Sequence, residues 1–205
     1  MLTTALQTQE NQSSDYYSVV AKGPMLDRVY SMRYRSYSAE GYIEENSSLK
    51  FIDEYDNKPN STCFLAYQKN KTIGSMRACI FDPANPESII PVMEVFDNEI
   101  RENVGYDNTL VEMNKFVIDT SFQRKGGIQA RLTLMRSVFD ESVRRNAKAI
   151  LVAVRPEHAR FYQIFGAKII SDIKSYPHLS FKTLLMVCDD LDLAGNILRS
   201  KLRAA

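Results

Sequence analysis

The elements legible along the chain predict an α/β fold on a mixed sheet: a strand, a helix, a strand pair, then strand, helix, strand, short helix and two closing strands. Three observations carry this. Residues 149–154 (Ala-Ile-Leu-Val-Ala-Val) are an unbroken apolar run of strand length, as a strand covered on both faces requires. Residues 129–148, just before it, have the periodicity of an amphipathic helix. Residues 62–67 and 72–81 are strand-like and separated by Gln68, Lys69, Asn70 and Lys71, a hairpin signal.

Taken in order, residues 15–22 read as a first strand, closed by Gly23-Pro24. Residues 25–38 form a helix whose Leu26, Val29, Tyr30 and Arg33 share one face. Residues 42–60 are polar, irregular and dotted with aromatics. The hairpin follows, then a loop over residues 82–88, a helix over 92–103 and a turn at 104–108 leading into a strand over 111–118. Gln123, Arg124, Lys125, Gly126 and Gly127 make a turn whose amides and two cations face an anion at the start of the 129–148 helix. After the 149–154 strand, residues 156–165 form a short helix. Residues 168–173 and 181–187 pair antiparallel around Ser175-Tyr176-Pro177, and residues 191–202 close the chain as a helix. No repeat or internal linker interrupts this order, so residues 15–205 are expected as one domain behind a flexible tail at 1–14.

Composition narrows the class. With 44% hydrophobic and 25% charged residues, the 205-residue chain is expected to be a soluble globular protein. Its longest apolar run, residues 149–154, is far short of the roughly 20 residues that span a bilayer. Residues 1–14 lack a basic and an apolar region in signal-peptide order, which points to the cytoplasm. Cys63, Cys79 and Cys188, odd in number and set among apolar residues, read as buried structural thiols. Two histidines give no basis for a His-built metal site.

Charge is segregated along the chain. Residues 36–112 carry 6 basic and 14 acidic side chains, and residues 118–178 carry 11 basic and 5 acidic. The basic half contains the glycine turn, and a turn leading into a helix N-terminus is a phosphate site. A phosphopantetheine thioester, on coenzyme A or on an acidic carrier protein, fits that half. Nucleic acid does not, because the acidic segment would repel a long polyanion.

The order from residue 111 to Gly166, a strand, a glycine turn, a long helix, a second strand and then Arg160-Phe-Tyr-Gln-Ile-Phe-Gly166, resembles the cofactor half of the GNAT acyltransferase superfamily. In that family the tyrosine, here Tyr162, lies near the thioester sulfur and protonates the leaving thiolate. The turn supplies the family's Gln and first Gly but has Ile128 where a last small residue belongs. Upstream, Arg33 with Tyr37, Asp53 with Asp56, Gly74-Ser-Met-Arg77 and Glu112 fall in the order seen in acyl-homoserine lactone synthases. The Arg33-Tyr34-Arg35 helix end is similar to that of the sister long-chain N-acyl amino acid synthases. Two departures from the lactone synthases, Lys115 in place of an Arg and the absence of any Trp, favour the second group.

The resemblance implies a central, largely antiparallel sheet flanked by helices, and an N-acyltransferase moving a long-chain acyl group from acyl carrier protein to the α-amine of an amino acid. No metal or permanently bound cofactor is implied. An α-ammonium acceptor must lose a proton before it attacks, and Glu112 would relay that proton through a water or anchor the ammonium, while Tyr162 would protonate the thiolate. Arg33, Arg35, Tyr37, Asp53, Asp56 and Arg77 would bind substrate, with Asp53 and Asp56 either attracting the ammonium or holding Arg33, Arg35 and Arg77 in place. Gln123, Arg124, Lys125, Gly126 and Gly127 would bind the donor's phosphates. Acyl-homoserine lactone synthesis, acetyl-CoA-dependent acetylation and a non-catalytic thioester-binding module are the alternatives.

Overall fold

The computed structural model describes residues 15–122, 127–177 and 179–204. Residues 1–14, read from sequence as a tail, and Gln123, Arg124, Lys125 and Gly126 of the glycine turn lie outside the described residues.

Strand β1 (Tyr16–Val20) and helix α1 (Pro24–Ala39) open the fold, with Pro24 starting the helix where a missing N–H costs nothing. A short 3-10 turn (Glu54–Asn57) is the one regular element in the polar stretch, capped at both groups by Asp53 and Asp56. The hairpin β2 (Ser61–Gln68) and β3 (Lys71–Phe81) leads to α2 (Met93–Asn103) and β4 (Leu110–Ile118). Then come α3 (Gly127–Arg144), β5 (Ala149–Val154) and α4 (Ala159–Gln163), followed by two-residue strands β6 (Lys168–Ile169) and β7 (Lys174–Ser175), β8 (Lys182–Cys188) and α5 (Leu191–Ala204).

The sheet runs in the order β1-β2-β3-β4-β5-β8-β6, with β7 also on β8. Every pairing is antiparallel except β4 with β5, the two strands joined through α3. Period-two alternation sorts the side chains to two covered faces: Phe64 and Ala66 of β2 pack with α3, while Cys63, Leu65 and Tyr67 pack with α1. Helices α3, α4 and α5 cover one face, and α1 and α2 the other.

Most boundaries fall within two residues of the sequence reading, the expected 156–165 helix being a 3-10 turn (Pro156–His158) followed by α4, and two elements differ by more. Helix α3 stops at Arg144 rather than Lys148, because Asn146 turns left-handed (φ 51°) and the Ala147 N–H bonds back to the Ser142 carbonyl at 2.9 Å. The expected 168–173 strand is split: Ser171 accepts the Leu185 N–H through its hydroxyl at 2.7 Å, so a side chain replaces a backbone rung there.

Candidate active site

Strand register builds the site. Arg77 and Cys79 of β3 stand opposite Asn114 and Glu112 of β4, and alternation turns all four away from α3. Between the Ser75–Val117 and Arg77–Asn114 pairs, β3 has one residue and β4 has two, a β-bulge at Lys115 and Phe116. Lys115 takes it up with left-handed backbone (φ 49°), an uncommon state for a residue with a side chain. A bulge bends its strand, and the parallel ladder to β5 ends at Glu112–Leu151 while β4 runs on to Ile118. The strands part there.

A cavity of about 640 Å³ occupies the gap. It is lined from both faces of the sheet, by Asp53, Arg77, Glu112 and Asn114 on the α1/α2 side and by Met113, Val152, Val154 and Tyr162 on the α3 side. Tyr37, Tyr42, Phe51 and Phe181 form an aromatic wall, with ring centroids 4.8–6.4 Å apart.

Behind this lining lies a charge cluster. The Asp56 carboxylate, fully buried, accepts from Arg33 Nη1 at 2.7 Å and pairs with Arg77 Nη1 at 2.9 Å. Arg77 also grips both oxygens of Asp53, at 2.5 and 2.9 Å, and donates Nε–H to Asn114 Oδ1 at 2.8 Å. Lys115 completes the group, its ammonium 3.2 Å from Asp53 and 3.9 Å from the Phe51 ring centre. Burial alone would raise the Asp53 carboxyl, but the bidentate Arg77 and then Lys115 hold it well below the usual carboxylate range. Burial pushes the Lys115 ammonium down to about 8, against the attraction of Asp53.

Glu112 is 1% exposed, and burial pushes its carboxyl up to about 7. Its Oε2 accepts the Val92 N–H and its Oε1 the Asn114 side-chain amide, each at 2.9 Å, and these bonds oppose the rise. A carboxylate that changes charge near neutrality and lines a cavity has the properties of a general base. Tyr162 lies across the sheet, its phenol proton held tightly by burial and next by Tyr37.

The sequence-predicted set divides. Glu112, Tyr162, Tyr37, Asp53 and Arg77 line the cavity together. Arg33 and Asp56 are wholly buried behind it and hold the liners in place. Arg35 is not brought to the site: two residues beyond Arg33 is about 200° around a helix, and its side chain is exposed. Gly127 begins α3, and a Cβ there would sit 2.9 Å from the Phe122 carbonyl oxygen, so the tight entry into the helix needs the missing side chain. Sequence reasoning missed Asn114, Tyr176 and, apart from Tyr37, the aromatic wall. Asn114 was within reach, two residues from Glu112 on the same strand face. Tyr176 and Phe181 come from far along the chain and carry no local signal.

Among the described residues no His/Cys/Asp/Glu group could hold a metal ion, and no helix is long and apolar enough to cross a membrane. All three cysteines are free and buried.

Comparison with known proteins adds the family. A family model for the N-acyl amino acid synthase FeeM matches residues 28–189. Among solved structures the chain is similar to FeeM, an N-acyl amino acid synthase from uncultured soil microbes, at 16% identity and a TM-score of 0.71, over 87% of this chain and 92% of that one. It is also similar to the acyl-homoserine lactone synthase LasI, at 14% identity and a TM-score of 0.62, over 84% and 89% of the two chains. BjaI, a CoA-dependent acyl-homoserine lactone synthase, gives 13% identity and a TM-score of 0.66, over 91% and 88%. No curated protein sequence matches the chain. Identities this low establish a shared fold, while the family match spans the charge cluster, the parted strands and Tyr162 alike. The chain is thus an acyltransferase of GNAT-like fold and belongs to the FeeM family of N-acyl amino acid synthases.

Proposed function

We propose that this protein transfers a long-chain fatty acyl group from an acyl carrier protein thioester to the α-amine of an amino acid. The observation that carries the reading is Glu112: a buried carboxylate with a proton affinity near neutrality, on the strand that parts from its neighbour to open a cavity. An α-ammonium group, with a pKa near 8, cannot attack until its proton is removed. Glu112 takes that proton, directly or through one water, and the free amine attacks the thioester carbonyl carbon. The C–N bond forms as the C–S bond breaks, and the electron pair leaves on sulfur. Backbone N–H groups of β4 beyond the end of the ladder face the carbonyl oxygen and hold its developing charge. Tyr162 gives a proton to the thiolate and is restored by the second proton that the nitrogen sheds, directly or through water, on becoming an amide. This is a modest aid because a thiol is already a good leaving group.

The donor enters on the α3 side, where the basic half of the chain and the helix start would meet its phosphates. The acceptor lies on the α1/α2 side against Asp53, Arg77 and Glu112. Lys115 in place of an Arg supports an N-acyl amino acid over a lactone as product. The test is to incubate purified protein with acyl carrier protein or coenzyme A thioesters and a panel of amino acids, with mass spectrometry of the products. Acyl amino acids formed faster from the carrier support the reading in full. Faster transfer from coenzyme A overturns the donor, and acyl lactones from S-adenosylmethionine overturn the acceptor.

A further inference from the structure

The charge cluster and Glu112 meet at one side chain. Asn114 accepts the Arg77 Nε–H at 2.8 Å and donates to Glu112 Oε1 at 2.9 Å. Arg77 has only donors, so the Asn114 amide has one orientation: its oxygen must face Arg77 and its NH₂ must face Glu112. The other Glu112 oxygen faces the Val92 N–H, again a pure donor. Both carboxylate oxygens therefore meet groups suited to the ionised acid, in a position where burial favours the neutral one.

The surrounding charges explain what this amide transmits. From β3, Arg77 and Cys79 face Glu112; the 53–57 turn brings Asp53 and Tyr55, and the loop before β8 brings Tyr176. Glu94 of α2 takes the Tyr55 hydroxyl, and Lys115 follows Asn114 directly in the chain. Arg33, Arg77 and Lys115 against Asp53 and Asp56 leave one positive charge, which an ionised Glu112 balances. Among the described residues no cation of the cluster bonds Glu112 directly; the linkage runs through Asn114.

We infer that Asn114 is a positioning residue that keeps Glu112 in its ionised, proton-accepting form by presenting one oriented amide between it and Arg77. The inference rests on the reading of Glu112 as the base. Asn114→Asp is the informative variant, because it keeps an acceptor for Arg77 and replaces the donor to Glu112 by a second carboxylate. Asn114→Leu removes both bonds at similar volume.

The measurement is the pH dependence of kcat/KM for both variants, with the Glu112 carboxyl titrated in the free enzyme by ¹³C NMR and assigned by its loss in Glu112→Gln. Loss of a hydrogen bond to the ionised form should move the acid limb and the NMR titration alkaline by about one pH unit, with a roughly tenfold lower rate below the limb and recovery above it. The shift should be larger for Asp than for Leu. A purely structural Asn114 would lower the plateau and leave the limb in place, and that result in both variants overturns the inference while an inactive Glu112→Gln leaves the base standing. A fully active Glu112→Gln overturns both.

Discussion

Asp56→Asn separates holding the site together from touching substrate. Asp56 is wholly buried, and its carboxylate serves Arg33 Nη1 at 2.7 Å, Arg77 Nη1 at 2.9 Å and the Asp53 N–H at 3.0 Å. Asparagine keeps the shape but not the charge: with its oxygen facing both guanidiniums, its NH₂ meets the Asp53 N–H, donor against donor. Arg33 would lose its one carboxylate partner among the described residues, keeping a neutral oxygen and the Cys63 sulfur at 3.1 Å, and its Nε is already without a partner. Removing one member of a buried ion pair costs about 3–5 kcal/mol, and two guanidiniums depend on this one. We expect the upper part of that range, a large share of the roughly 5–15 kcal/mol that a domain has. Asp53→Asn should behave differently. Its side chain is 26% exposed to the cavity and Arg77 keeps Asp56, so about 1–3 kcal/mol is expected, together with a raised acceptor KM. Urea unfolding followed by circular dichroism gives both stabilities, and steady-state kinetics gives the KM. An Asp56→Asn protein within about 1 kcal/mol of the parent, folded but unable to bind acceptor, would refute the division of roles.

Glu112→Gln should lower the rate by about 10² to 10⁴ with partial rescue at high pH as free amine accumulates, while Tyr162→Phe should cost about tenfold; the reverse ranking in a thioester-release assay would exchange their roles. Because the Glu112 carboxyl is raised from 4.5 to about 7, its contribution to stability is present below pH 4.5 and lost as pH rises through 7. Parent stability relative to Glu112→Gln should accordingly fall by about 3 kcal/mol between pH 4.5 and 8, and parallel urea-midpoint profiles would contradict this. Gly195→Ala places a Cβ 2.5 Å from Phe139 Cζ where α5 packs on α3, so thermal unfolding should show a loss of about 1–3 kcal/mol.

The sequence was most readable where one local rule decided the outcome. The 149–154 run and the hairpin at 68–71 became strands because a covered strand and a short polar turn leave distinct patterns. The end of α3 was misplaced because Asn146 turns left-handed without a glycine to announce it. In the site, the family order found Glu112, Tyr162, Asp53 and Arg77, all of which line the cavity. It did not separate Arg33 from Arg35, a question of helix phase. Nor did it give the bulge at Lys115, which arises from a mismatch between two strands and belongs to neither sequence alone.

That bulge separates shape from charge at a single position. The bend depends on a backbone angle of +49°, whereas the ammonium against Asp53 depends on the side chain. Glycine at this position would accept the angle and delete the charge; arginine would keep charge and strain together; a β-branched residue would resist the angle itself. The opening between the strands can therefore be inherited unchanged while the group presented at its edge is exchanged, which gives members of this fold a way to vary what they recognise without rebuilding where they react.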